Sequence, residues 1–126
     1  MKLRIKGNSV RLRLDRKDLA ELLDAGRVDD GLRLGQARAF TYSIVLGEAQ
    51  PGRPRVDYLA GNLVITIHRD DVVGWQARDL VGFEHLQPVE GGVVRVIVEK
   101  DFACIDRPAG QEPDDAWAFP NPSTAC

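Results

Sequence analysis

Residues 2–26 read KLRIKGNSVRLRLDRKDLAELLDAG, and the fold follows from how this stretch is divided. Leu3 and Ile5 alternate with Lys2, Arg4 and Lys6, the period-2 pattern of a strand with one wet face. Gly7-Asn8 then supplies a turn, because glycine adopts positive φ without steric penalty and asparagine is the next most tolerant. Val10, Leu12 and Leu14 alternate with Arg11 and Arg13, so a second strand completes a hairpin. Asp15 stands where a helix N-cap belongs, with Asp18 three residues on and Leu19, Leu22 and Leu23 at helical spacing. Gly26 ends the segment, which predicts a helix over about 16–25.

Working outward, Val28–Leu34 reads as a weak strand containing Gly31, and Phe40–Leu46 as a clear one. The breaker-rich loop GEAQPGRP fills 47–54. Val56–Leu59, a Gly61-Asn62 turn and Leu63–Ile67 make a further hairpin. His68 then leads into a second short helix expected to carry Val72, Val73 and Trp75. Leu80–Leu86 and the run from Val93 are strands about a turn at Glu90-Gly91-Gly92. The order strand, turn, strand, helix, strand, strand thus occurs twice. LRLDRKDL at 12–19 lies over ITIHRDDV at 65–72. That period implies a duplicated β-β-α-β-β unit, with pseudo-repeats at about 1–46 and 54–100. The expected fold is α+β and mostly β: about eight antiparallel strands as a barrel or curved sheet, with two short helices. Neither helix is long enough for a parallel crossover scaffold. Residues 1–107 form one compact domain in this reading. Residues 108–126 form an irregular tail that Trp117 and Phe119 could tie down.

A chain of 126 residues with 44% apolar and 29% charged side chains has the makings of one soluble core. The net charge of −2 supplies no general attraction to nucleic acid or to an anionic membrane. MKLRIKG alternates charged and apolar groups and lacks the apolar run of a secretion signal, so cytoplasmic residence is the expectation. Cys104 and Cys126 would then be reduced thiols.

The opening hairpin is the clearest charge feature. Seven of the 17 Lys and Arg residues fall in the first 17 positions: Lys2, Arg4, Lys6, Arg11, Arg13, Arg16 and Lys17. Pairing the two strands gathers these cations, and their mutual repulsion calls for water, internal carboxylates such as Glu99 and Asp101, or a bound anion. A second candidate follows the valine-rich run, where Glu99, Lys100, Asp101 and Cys104 come in close succession. Lys100 beside a thiol would favour the thiolate, whereas a cysteine after an apolar strand more often fills a core. The two cysteines and two histidines have no metal-ligand spacing. The candidate anion- or partner-binding residues are therefore Lys2, Arg4, Lys6, Arg11, Arg13, Glu99, Lys100, Asp101 and Cys104, with no metal and no cofactor expected.

KLRIKGNSVRLRL, VEKDFACID and DDAWAFPNP resemble the recurring blocks of a family of small bacterial proteins of unknown function. That resemblance implies one compact domain and brings no activity. LRLDRKDLAELLDAG and NLVITIHRDDVVGWQ are more loosely similar to the strand–helix unit of swapped-hairpin transcription factors of the antitoxin type, without that family's proline between strand and helix. Were the basic face turned into a barrel, the chain would resemble tunnel-type triphosphate enzymes, but Lys2, Arg4 and Lys6 stand where those enzymes carry alternating glutamates. The expected function is a small binding domain whose basic hairpin takes an anionic small molecule or protein. An enzyme acting on an anionic substrate and a DNA-binding regulator are the alternatives. A homodimer stays open, and the acidic balance counts against nucleic acid as the partner.

Overall fold

The computed structural model describes residues 1–36, 39–102 and 117–120. The first hairpin pairs β1 (Lys2–Lys6) with β2 (Ser9–Leu14), joined at Gly7, whose φ is 56°. Helix α1 (Arg16–Ala25) follows, then β3 (Arg27–Arg33) and β4 (Ala39–Leu46) as a second antiparallel pair. A third hairpin joins β5 (Arg55–Leu59) to β6 (Asn62–Ile67). A single helical turn, α2 (Arg69–Val72), leads on to β7 (Gly82–Val89) and β8 (Gly92–Lys100). Both helices begin as their sequences predict. Asp15 accepts from the Asp18 amide while Asp18 accepts from the Asp15 amide, a reciprocal capping box. At the second helix His68 Nδ1 accepts from the Asp70 amide at 3.0 Å.

The strands form two four-stranded sheets, β1-β2-β8-β7 and β3-β4-β6-β5, and not one closed barrel. Each hairpin is antiparallel as expected, but an all-antiparallel fold is incorrect: β2 runs parallel to β8, and β4 to β6. Turn chemistry governs pairing within a hairpin, whereas pairing between hairpins depends on how distant segments pack, which no local pattern encodes. The edge strands β5 and β7 meet through side chains. Gln87 Oε1 accepts from the Val56 amide at 2.7 Å, and its Nε2 donates to the Val56 carbonyl at 2.9 Å. The ring of His85 lies 3.1 Å from the Pro54 carbonyl. A glutamine amide thus stands in for the backbone of a neighbouring strand, and the junction is made without a closing ladder.

The facing sides of the sheets enclose the core. Leu12, Val96 and Val98 come from one sheet, and Ile44, Ile65 and Ile67 from the other; all are buried with Leu19 and Leu22 of α1. Trp75 does not continue the second helix as expected. Extended Val73 ends that turn, and Gly74, at φ 74°, starts a short 3₁₀ turn, Trp75–Ala77. This change of direction buries the indole, edge-on to Phe83 at 5.0 Å with Nε1 donating to the Leu80 carbonyl, and leaves Val73 in solvent. Within the C-terminal residues described, Phe119 is buried against Phe102 and its amide donates to the Asp101 carbonyl at 2.8 Å. No helix among the described residues is long and apolar enough to cross a membrane.

Candidate basic sheet face

The registers of the first sheet place the cations. Lys2 lies beside Arg13 and Glu99, Arg4 beside Arg11, Ile97 and Glu84, and Lys6 beside Ser9, Arg95 and Leu86. Side chains in one cross-strand row share a face, so these rows cover the solvent side of the sheet, while Leu3, Leu12, Val98 and Phe83 share the core side. The basic residues therefore stand on an outward face and not inside a barrel. Ile97 lies among them yet is buried, because the aliphatic stems of long neighbours such as Arg11 cover it.

Repulsion across the face is relieved by interleaved carboxylates. Glu99 accepts from Arg13 Nε at 2.9 Å and lies 3.5 Å from Arg11 Nη1. Lys2 Nζ is 2.9 Å from Asp101, and Arg95 pairs with Glu84. The hydrogen bond from Arg95 holds the Glu84 carboxyl below its ordinary range and raises the guanidinium in return. Arg4 and Lys6 have no ion-pair partner among the described residues.

Of the residues predicted from sequence, Lys2, Arg4, Lys6, Arg11, Arg13 and Glu99 are brought together. Lys100 is not, because it follows Glu99 on an alternating strand and turns to the core side. It is 5% exposed, donates to the Arg78 carbonyl, and lies 5.1 Å from the Phe119 ring centre and 5.9 Å from that of Trp75. Burial pushes its ammonium below the ordinary lysine range. The last pair of the β4–β6 ladder is Leu46 with Ile67, whereas that of the β2–β8 ladder is Leu14 with Lys100. A lysine thus occupies a place where the other sheet has a leucine. Asp101 is buried and serves Lys2. Cys104, with the thiol chemistry suggested for it, lies outside the described residues.

Sequence reasoning missed Arg95 and Glu84. The one available signal was the single arginine interrupting Val93–Val98, but its place beside Ser9 depends on a parallel pairing. A groove of about 480 Å³ runs over the outer face of the second sheet, past Arg27, Asp29, Thr41, Ser43 and Asn62. Several of its polar groups pair with one another: Arg27 Nη2 donates to Asp29 at 2.7 Å, holding that carboxyl below its ordinary range, Ser43 donates to Asp29, and Thr41 bonds Asn62. Among the described residues no group of His, Cys, Asp and Glu could hold a metal ion.

Residues 1–123 match the model of a family described as a family of unknown function (DUF7009), and the chain belongs to that family. No curated protein and no solved structure matches it.

Proposed function

We propose that this member of the family is a binding module that holds an anionic partner on the solvent face of the β1-β2-β8-β7 sheet. The observation that carries the reading is the set of adjacent registers that puts Lys2, Arg4, Lys6, Arg11, Arg13 and Arg95 on one face, with Arg4 and Lys6 lacking ion-pair partners among the described residues. Charged hydrogen bonds to a carboxylate or phosphate would relieve the remaining repulsion. An enzyme working on a phosphorylated substrate would need these cations to converge in a concavity, and a sheet face spreads them instead. Residence in the cytoplasm fits this use.

We further infer that the two halves descend from a duplicated β-β-α-β-β unit. What supports this is that each sheet takes one hairpin from each half and joins them through a parallel central pair. Asp15 and His68 also cap helices at corresponding places in the two halves.

Isothermal titration with inorganic triphosphate and with a short single-stranded oligonucleotide at low ionic strength tests the binding face. The expected result is binding that weakens as salt is added, and that falls about 10-fold in an Arg4→Glu, Lys6→Glu double variant. Equal affinity in the variant overturns it, and unchanged heats with both ligands exclude phosphate-type anions as its partner.

A further inference from the structure

We infer that the partner of this face is an extended acidic segment of another protein, bound by adding a strand to the free edge of β1; this rests on the basic-face reading above. Among the described residues β1 is terminal in its sheet and pairs only with β2. In an antiparallel pair, residues alternate between exchanging both backbone bonds with their partner and turning them away. The turn at Gly7-Asn8 has two residues, so the flanking pair Lys6 and Ser9 is bonded, as are Arg4 with Arg11 and Lys2 with Arg13. Leu3 and Ile5 therefore aim their amides and carbonyls away from β2, toward the open edge.

A segment seated there has its side chains alternating in step with β1, each second residue about 6.6–6.8 Å on. One set of its side chains falls beside Arg4 and Lys6, and carboxylates at those places complete the ion pairs these two lack among the described residues. Arg11, only 3.5 Å from the shared carboxylate of Glu99, lies one strand further in. The other set falls beside Ile5, which faces the core side yet is 60% exposed. The matching sequence therefore alternates Asp or Glu with apolar residues. A second copy of this chain does not suit the edge, because β1 against β1 would oppose Lys and Arg to Lys and Arg.

The test uses a labelled, end-blocked peptide of alternating Glu and Val, read by fluorescence anisotropy against the full chain. One analogue carries N-methyl groups on every Val amide and another on every Glu amide. Methylation removes the donors along one edge of an extended peptide and leaves the other edge intact. The parent peptide should bind, and the Arg4→Glu, Lys6→Glu variant should bind it about 10-fold more weakly. One methylated analogue should lose about 10-fold in affinity while the other keeps it, which identifies the edge facing β1. If both analogues bind like the parent, strand addition is refuted while the basic face stands as a purely electrostatic site. If triphosphate or the oligonucleotide binds and no peptide does, an acidic peptide is the wrong partner. If none of these probes binds, both readings fall.

Discussion

Lys100 is a charged residue in an apolar position, held by the Arg78 carbonyl and two aromatic rings. A single backbone acceptor and cation–π attraction only partly replace the water that an ammonium loses on burial. Lys100→Met keeps the length of the side chain and removes the charge, and is expected to stabilise the fold by about 1 kcal/mol at pH 7. The pH dependence has a definite sign. Because the folded-state pKa is depressed, the unfolded chain binds the extra proton between that value and the ordinary lysine value of 10.5. Stability of the unmodified chain therefore rises with pH through this window, and its deficit against the Met variant closes as pH approaches the upper end. Urea unfolding of both proteins at neutral pH and near that upper end reads this directly. Equal stability at neutral pH, or a gap that widens with pH, counts against the account.

At the scale of elements, capping and turn chemistry decide where the helices begin and how the hairpins close. Asp15 satisfies the Asp18 amide at 2.8 Å in a box that Asp18 completes from the other side. Asp15→Ala should cost about 1 kcal/mol, and Asp15→Asn, which keeps an acceptor, appreciably less. Chemical denaturation of the two variants checks this, and equal losses would show that the carboxylate acts through its charge and not as an acceptor. These local features were legible in the sequence: the Asp15 cap, the Gly26 stop, the Gly7-Asn8 turn and the alternation that puts Lys2, Arg4 and Lys6 on one face. The turn expected at Gly61-Asn62 lies one residue earlier, because Leu59 pairs with Asn62 and Ala60-Gly61 carry the positive φ angles. The second helix is shorter than the sequence predicts, because apolar Val72, Val73 and Trp75 suggest a continuing stripe. The left-handed turn at Gly74 re-aims Trp75 into the core, and glycine in a sequence marks such a bend no better than it marks an ordinary break.

For the whole molecule, the seam between the edge strands β5 and β7 carries the two bonds of Gln87 to Val56, beside the contact of His85 with the Pro54 carbonyl. Truncating Gln87 leaves an amide and a carbonyl of β5 without partners at a partly enclosed seam. Gln87→Ala should therefore cost about 2 kcal/mol and speed hydrogen exchange at the Val56 amide well above that of the β6 amides. Exchange at Val56 that is unchanged in the variant would mean the amide is protected some other way. The sequence pattern ends that strand at Leu86 and gives Gln87 no role, since its partner lies 31 positions away.

The mostly β composition, two helix starts, the strand hairpins and the gathering of cations on the first of them follow from local sequence. All of these depend on residues within a few positions of one another, where backbone preference and side-chain period act directly. Long-range packing sets the rest: the hairpins join as parallel central pairs in two sheets, Glu99 and Arg95 enter the basic face, and Lys100 leaves it for the core. Those outcomes turn on which distant strands lie side by side. That choice is made by packing of the shared core and by registers that shift every side chain to the opposite face with a one-residue slip.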